Sequence, residues 1–326
     1  MRKPDYGAMV ADAAIDETTK RVHEVYQQAS KRLHKKLGEF TKRFAGQDAE
    51  KRKLLEEKKI TLIEYNSWRG RQIFRQKQWQ DKLDQATRIM NDANAEAAEI
   101  VRKGKLNVFA ENYNFEAYKI EKASGISTFN LYNEKSAARL IRKKPKLLPE
   151  WKINEKKDYK WNRKKVNNTI TQGIIQGKDI REITKDLTAN LCAQNENKMR
   201  TFARTAMTGA QNAGRLAQME DAEDMGIKVK KKWVAVLDNR TRDAHGDLDG
   251  QEVDVNEPFR VMVDGEWMEI DFPGDPSADP CMVYNCRCSM IEVYEGIDRK
   301  SVRRDMDNNL VENMTYNEWK KMKEGK

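Results

Sequence analysis

The fold class of this chain is decided by the stretch VKKKWVAVL at residues 229–237 and by RVMVDGEWMEI at residues 260–270. Both runs alternate in polarity or are rich in apolar and β-branched residues, which is typical of strands. Asp264-Gly265 in the second run indicates a hairpin, because both residue types tolerate the left-handed backbone of a two-residue turn. The two runs therefore predict a small β-containing module near the C terminus.

The chain before these strands has the spacing of helices. Between residues 10 and 103, proline is absent and apolar side chains recur every three or four positions, which predicts long amphipathic helices. The clearest apolar stripe consists of Val22, Val25, Tyr26, Ala29, Leu33, Leu37, Phe40 and Phe44. We expect a break near Ala45-Gly46 and a new helix capped by Thr61 or Asn66. The predicted fold class is thus α+β and predominantly α-helical, with a long helical N-terminal part and a small β-containing C-terminal module.

Proline, glycine and changes in composition divide the chain into segments. Pro149 marks the main boundary, and Gly226 closes a long helix. A break at Gly177 precedes a helix capped by Asp179, and a short strand is expected at residues 127–131. The predicted division is a basic helical N-terminal domain at 1–149, a module at 150–297 with helices over 160–226 and a β-rich part over 228–295, and a C-terminal helix at 298–326.

Charge is distributed unevenly over the 326 residues, whose formal net charge is +10. Residues 1–165 carry about 39 Lys and Arg against about 23 Asp and Glu, whereas residues 228–297 carry about 8 against about 15. A basic helical half suits a polyanion such as nucleic acid, or an acidic protein surface. The alternative is a solvated helix face on which Lys and Glu pair within each helix.

Two features that the sequence lacks predict the cellular compartment in which it is made. It has no run of about 18 uncharged apolar residues, so we expect no membrane span. Residues 1–20 contain no apolar core of a signal peptide. We therefore expect synthesis in a reducing cytosol, where clustered cysteines are thiols or metal ligands rather than disulfides.

Three of the four cysteines lie within eight positions and suggest a metal site. Cys286 and Cys288 are two residues apart, so in an extended segment both point to one face and could reach one zinc ion. His245, on the loop after the first strand, is a third candidate ligand, and Cys281 is a fourth. One structural zinc would stabilise a module whose own core is small. Buried structural thiols without a metal are the interpretation we favour, with one structural zinc as the second and a Cys–His pair acting as nucleophile and base as the third.

The arginines of the same region allow two interpretations. Arg240 and Arg242 lie in an acidic loop, and Arg287 separates the two thiols. They either contact an anion or a partner, or they pair with an acid of the loop such as Asp238. We favour the ion pair.

A family resemblance rests on three motifs: KWVAVLDNRTRDAHGDLDG at 232–250, PGDP at 273–276 and NCRC at 285–288. Together they resemble the Mu F-like family of phage minor head proteins, also called head morphogenesis proteins. The preceding helix, with Thr205, resembles the RT…N helix that leads into the family's module. The positions that carry the resemblance are Arg204, Asn212, Trp233, Asp238, Arg240, Thr241, Arg242, Gly250, Asn285 and Arg287.

The resemblance implies a non-enzymatic structural protein of a phage head that assists DNA packaging or delivery. The implied partners are the portal protein and the major capsid or scaffolding protein, with phage DNA as a further candidate and no membrane. The implied location is the virion, after assembly in the cytoplasm of the bacterial host. His245, Cys286 and Cys288 correspond to family positions, whereas Cys281 does not. Two rival functions remain: a thiol- or metal-dependent hydrolase, such as a nuclease or a toxin-like enzyme, and a plain nucleic-acid-binding protein.

Overall fold

The computed structural model describes residues 5–74, 77–125, 127–148, 155–176, 178, 180–236, 238–294, 303–304, 310–311 and 316–325. The elements in chain order are α1 (Tyr6–Glu56), α2 (Leu62–Phe74), α3 (Lys77–Ser124), α4 (Glu134–Lys143), α5 (Glu155–Ile175), α6 (Ile180–Asp224), β1 (Val229–Val234), α7 (Asp243–Leu248), β2 (Glu252–Asp254), β3 (Phe259–Val263), β4 (Glu266–Ile270), α8 (Pro280–Val283), β5 (Ser289–Tyr294), β6 (Arg303–Arg304), β7 (Leu310–Val311) and α9 (Tyr316–Glu324). Long helices followed by short C-terminal strands confirm the predicted α+β class. Within the described ranges, none of the helices combines the length and the apolar character needed to cross a bilayer.

The chain forms two compact units, each drawn from separated stretches of sequence. The first unit contains Met1–Thr18, Val101–Trp151 and Thr201–Lys326, and the second contains Thr19–Ile100 and Lys152–Arg200. Helices α1, α3 and α6 supply residues to both units, because each of them is long enough to leave one unit and enter the other. The sequential division into 1–149, 150–297 and 298–326 as separately folding segments stays a prediction.

The core of the second unit contains a chain of amide side chains that joins four helices. The Tyr26 hydroxyl on α1 donates to Asn94 on α3 at 2.6 Å, and the Asn94 amide donates to Asn195 on α6 at 3.1 Å. Asn195 donates to Asn162 on α5 at 3.1 Å, which in turn donates to Asn91 on α3 at 2.9 Å. Buried polar groups favour the arrangement that satisfies their hydrogen bonds. This series of side-chain hydrogen bonds therefore fixes the register of the four helices within the unit.

The start of α2 is a capping box. The Thr61 hydroxyl accepts from the Glu64 backbone N–H at 3.2 Å, and the Glu64 carboxylate accepts from the Thr61 N–H at 2.8 Å. Thr61 is therefore the cap, and Asn66 lies inside the helix. The break expected near Ala45-Gly46 is wrong, because α1 continues through this pair to Glu56. One glycine in a helix interior costs only about 1 kcal/mol, which a helix of 51 residues tolerates.

Some of the remaining predictions for the helices fall on described residues, and others do not. The α1 stripe is buried wherever its side chains are described, at Val22, Val25, Tyr26, Ala29 and Leu33. The side chains of Leu37, Phe40 and Phe44 lie outside the described residues, as do Pro149, Gly177 and Asp179. Gly226 follows the end of α6 with a φ of 82°, as a helix-closing glycine should. At the C terminus, the helix occupies Tyr316–Glu324.

The strand expected at residues 127–131 does not form. Asn114 on α3 instead bonds both backbone groups of Tyr132, accepting from its N–H at 2.7 Å and donating to its carbonyl at 2.8 Å. The Glu121 carboxylate accepts from the Phe129 N–H at 2.9 Å. Because helix side chains satisfy these backbone groups, the extended segment needs no partner strand.

The strands of the C-terminal module form an antiparallel sheet and a hairpin. Strand β1 lies between β2 and β5, with Trp233 opposite Met290. Strands β3 and β4 form the hairpin predicted at Asp264-Gly265, where φ is 51° and 87°. The Trp233 ring packs edge-on against Phe259 of β3 with the centroids 5.3 Å apart, which joins the sheet to the hairpin.

Helix α6 and the PGDP loop approach each other to backbone contact. A Cβ placed on Gly209 of α6 would lie 2.6 Å from the carbonyl oxygen of Gly274, and Gly274 itself has a φ of 80°. A side chain at Gly209 would collide with backbone, and one at Gly274 would also be strained by the left-handed φ. Two glycines therefore allow the loop to lie directly on the helix.

We expect Gly209→Ala to lower the free energy of unfolding by about 1–3 kcal/mol, because the added methyl group has to displace the backbone of residues 273–276. Gly246→Ala is the matched control, since a Cβ at Gly246 meets no atom within 4 Å. Urea unfolding followed by circular dichroism measures both effects. Unchanged stability of Gly209→Ala would contradict the close approach.

Candidate metal centre

Three buried side chains from two separate segments meet beside strand β1. His245 lies in the short helix α7, and Cys286 and Cys288 lie between α8 and β5. The Nδ1 atom of His245 is 3.4 Å from Sγ of Cys288 and 3.7 Å from Sγ of Cys286. The three residues are only 2–3% exposed, so they form a cluster inside the module.

The extended backbone of the NCRC segment explains why both thiols face the same way. Alternate residues of an extended chain share a face, so the two cysteines are buried while Arg287 between them is exposed. Asn285 precedes them with a φ of 56°, a left-handed conformation that asparagine adopts more readily than most residues. It turns the chain from α8 into the cysteine segment.

Helix α6 holds this segment through hydroxyl groups one turn apart. The Thr205 hydroxyl accepts from the Asn285 backbone N–H at 3.1 Å. The Thr208 hydroxyl donates to the Cys286 carbonyl at 3.0 Å. Both contacts satisfy backbone groups that have left regular secondary structure, so they position the cysteine segment on the helix.

Asn212 makes the most extensive of these contacts and is fully buried. Its Nδ2 donates to the carbonyls of Pro273 and Cys288, at 2.9 and 3.3 Å. Its Oδ1 accepts from the Met290 N–H at 3.0 Å. One amide side chain thus joins α6, the PGDP loop and the start of β5, which only a group with both donors and an acceptor can do.

Arg215 continues the same face of α6, and the sequence motif did not include it. Its Nη1 donates to the Met290 carbonyl at 2.7 Å, and its Nη2 pairs with the Asp5 carboxylate at 2.6 Å. A signal was available, because polar residues recur at helical spacing along an otherwise apolar stretch. This stripe consists of Thr205, Thr208, Asn212 and Arg215. Arg204, which the motif did include, is exposed.

The acidic loop after β1 is organised by Asp238. Its carboxylate forms two hydrogen bonds of 2.6 Å with the Arg287 guanidinium, the type of pair that the sequence favoured. It also accepts from the Arg240 N–H at 3.0 Å and from the Thr241 hydroxyl at 3.3 Å. The hydrogen bond with Arg287 holds the pKa of Asp238 well below its usual range.

Three other motif residues, Arg242, Gly250 and Trp233, make contacts around the cluster. Arg242 donates to the Tyr284 carbonyl at 2.5 Å. Gly250, with a φ of 81°, donates its N–H to the Trp233 carbonyl at 3.0 Å. The Trp233 ring packs edge-on against the His245 ring with the centroids 5.7 Å apart. The imidazole is thereby covered by an aromatic ring while its Nδ1 faces the thiols.

The two thiols influence each other's ionisation. Their mutual hydrogen bond, together with contact with His245, lowers the pKa of Cys288. The same hydrogen bond, with burial, raises the pKa of Cys286. Cysteine binds metal ions as the thiolate, and histidine binds them through a neutral imidazole nitrogen.

The cluster fits a zinc ion in donor type and spacing. Ideal Zn–N and Zn–S bonds place neighbouring N and S ligands about 3.6 Å apart in a tetrahedral site, and the two N–S distances here are 3.4 and 3.7 Å. Within the described part of the chain, His245, Cys286 and Cys288 each offer one ligand atom, and these three atoms lie within 4.8 Å of one another. Cys281 is exposed on α8 and does not belong to the cluster. The structure therefore brings together three of the four ligands that the sequence suggested.

Lys231 is a buried residue of strand β1 that the sequence motifs did not include. It is 1% exposed, and its Nζ donates to the Asp271 carbonyl at 2.9 Å and lies 5.3 Å from the Phe259 ring centroid. Burial lowers its pKa to about 8. The KKK run suggests a solvated strand, but the two-residue period places Lys231 on the inward face with Val229 and Trp233.

The family comparison agrees with this geometry. Residues 164–291 match the family model described as Phage Mu protein F like protein. The matched region runs from within α5 to within β5 and contains the polar stripe of α6 and the whole His–Cys cluster. The resemblance inferred from the motifs is confirmed, and this part of the chain is similar to Phage Mu protein F.

Among curated proteins, the chain is similar to minor head protein GP7 of Bacillus phage SPP1, with 32% identity over 167 residues that cover 48% of this chain and 51% of GP7. It is also 34% identical over 160 residues to a protein of Enterococcus faecalis named NAD(+)--arginine ADP-ribosyltransferase EFV, covering 47% of this chain and 30% of that protein. A third relative is the uncharacterised YqbB of Bacillus subtilis, with 31% identity over 133 residues. The matches thus span about half or less of each relative, and no solved structure matches the chain.

The burial of Lys231 predicts a pH dependence of stability. Its folded pKa of about 8 lies below the ordinary lysine value of about 10.4, so between these values the unfolded chain binds more protons and stability rises with pH. We expect the free energy of unfolding of the wild type, relative to Lys231→Met, to increase by about 2 kcal/mol from pH 7.5 to about pH 10. Urea titrations at each pH measure this difference. Lys232→Met, at a half-exposed neighbour, should leave the slope unchanged, and equal slopes for all three chains would contradict the prediction.

Proposed function

We propose that this chain is a structural minor head protein of a phage, made in the cytoplasm of the bacterial host and incorporated into the virion. The observation that carries the proposal is the Phage Mu protein F-like match at 164–291, and the similarity to GP7 supports the same role. The proposed partners are the portal protein and the major capsid or scaffolding protein, with phage DNA as a further partner during packaging or delivery. The helices would supply the docking surfaces, and the C-terminal module would be a rigid fold.

We also propose that His245, Cys286 and Cys288 hold one structural zinc ion. The donor types, the spacing of the ligand atoms and their burial support it. The ion would link α7 to the segment before β5, two elements that contribute little apolar core of their own. Its binding energy would then add to the folding energy of the module.

An enzyme is the second candidate, and two observations favour it. Three protein ligands are the usual number in catalytic zinc sites, and one relative is named an ADP-ribosyltransferase. That match covers 30% of the relative. The activity in the relative's name is therefore not tied to the segment that the two proteins share. A nucleophile or metal-bound water must also reach its substrate, whereas the side chains of this cluster are 2–3% exposed. We therefore favour the structural role.

The structural role is tested by copurification with the portal subunit of the same phage. We expect the tagged full-length chain to retain that subunit and to be present in purified heads, at salt concentrations that remove weak electrostatic contacts. Absence from both the portal complex and the heads would contradict the proposal. Consumption of NAD by the purified chain, lost in Cys288→Ala, would favour the enzyme instead.

The metal proposal is tested by elemental analysis of purified variants. We expect about one zinc ion per chain in the wild type and in Cys281→Ala, and well below one in Cys288→Ala and His245→Ala. Cys281→Ala is the matched control, because it removes an exposed thiol outside the cluster. Chelation should lower the unfolding temperature of the zinc-containing chains alone. A wild type that contains no zinc after purification with zinc in the buffer would end the proposal.

A further inference from the structure

A cluster of lysines surrounds Trp161 on helix α5 in the second compact unit. The Nζ of Lys198, on α6, lies 3.5 Å from the centroid of the indole ring, and the Nζ of Lys165 lies 5.4 Å from it. Lys157 and Lys164 lie about one turn before and after Trp161 at helical spacing, so they share its face of the helix. We call these five residues the Trp161 cluster.

This face of α5 is the one turned to solvent. Asn162, Val166 and Ile170, on the opposite side, are all buried. Arg163 on that side pairs with Asp84 of α3. Lys157, Lys164 and Lys198 are exposed. The helix therefore uses one face for packing within the unit and presents a cationic face outward.

Positive charge on this face exceeds the negative charge close to it. Helix α5 has six Lys and Arg against two acidic residues. The Lys198 side chain is exposed overall, but partial desolvation of its ammonium group lowers its pKa. Asp158 acts in the opposite direction, and the neighbouring Lys165 and Lys157 lower the pKa further. Like charges held this close repel one another, and an anion bound between them would relieve the repulsion.

The chemistry of the cluster fits phosphate groups better than bases or an acidic protein. The Lys198 ammonium lies 3.5 Å from the indole centroid and so occupies a face on which an unpaired base would stack. The charged residues are all lysines, which act as point charges toward phosphate and are depleted in protein–protein interfaces. Duplex DNA offers regularly spaced phosphates and needs no stacking.

We propose that the Trp161 cluster binds the phosphate backbone of double-stranded DNA without sequence preference. The choice of DNA as the polyanion rests on the proposed function, in which the chain is enclosed with packaged DNA. The cluster itself lies partly before the Phage Mu protein F-like match, which begins at residue 164. Binding would neutralise the lysines and release counterions from the duplex.

The test measures fluorescence anisotropy of a labelled mixed-sequence duplex with the full-length chain, between about 50 and 200 mM salt. We expect Lys165→Gln with Lys198→Gln to weaken binding about 10-fold near 100 mM salt, and to reduce the slope of log affinity against log salt by about 2. The matched control is Lys35→Gln with Lys36→Gln, an equal charge change at exposed positions of α1. It should change affinity by less than about twofold.

A second pair guards against a folding defect, because Lys165 and Lys198 both contact Trp161. Lys160→Gln with Lys164→Gln, at two exposed positions of α5, keeps these two contacts and should weaken binding to a similar extent, with an unchanged unfolding temperature. Equal loss in the α1 control would assign binding to diffuse charge and overturn the proposal. Tighter binding of poly-glutamate than of the duplex would assign the surface to an acidic protein instead.

The proposal and the structural role can fail separately. A wild-type chain that enters heads with the portal but does not bind duplex at about 50 mM salt would refute the DNA surface and leave the head role intact. A chain that binds duplex through the Trp161 cluster but does not enter heads would refute the head role alone.

Discussion

A chain segment that leaves regular secondary structure inside a protein must find other partners for its backbone N–H and carbonyl groups. In this protein, helix α6 supplies them. Asn212 accepts from the N–H of Met290 and donates to the carbonyls of Pro273 and Cys288. Loss of this one amide would leave groups of two loops and a strand unsatisfied at once, so the arrangement of the C-terminal module depends on it.

The His–Cys cluster follows from the same backbone contacts. Once α6 fixes the carbonyls of Cys286 and Cys288, their side chains are directed to the face where His245 lies under Trp233. The position of the thiols is therefore set by the fold before any ion is considered. This explains how a module with short strands can present three converging ligand atoms, and why a bound ion would reinforce the geometry rather than create it.

The long helices make different kinds of polar contact in the two compact units. In the first unit, polar side chains of α6 satisfy loops. In the second, the amide chain from Tyr26 to Asn91 joins helices to one another. Because these polar contacts are internal, the lysines of α5 are left on the outer face around Trp161. The basic character of the N-terminal half thus becomes, at this place, a defined surface rather than an average over the sequence.

The sequence by itself determined the long helices, the strands of VKKKWVAVL and RVMVDGEWMEI, the hairpin at Asp264-Gly265 and the common direction of the alternate residues of NCRC, because these depend on local periodicity and turn chemistry. It also carried the family motifs. It misplaced the break at Gly46, because one glycine costs a helix only about 1 kcal/mol. It also predicted a strand at 127–131, where the Phe129 N–H instead bonds to the Glu121 side chain of α3. Only the tertiary structure decided that Cys281 stays outside the cluster, that Lys231 is buried and that the compact units combine distant stretches. Those outcomes depend on which elements meet across long sequence separations, and no local pattern encodes the distances between them.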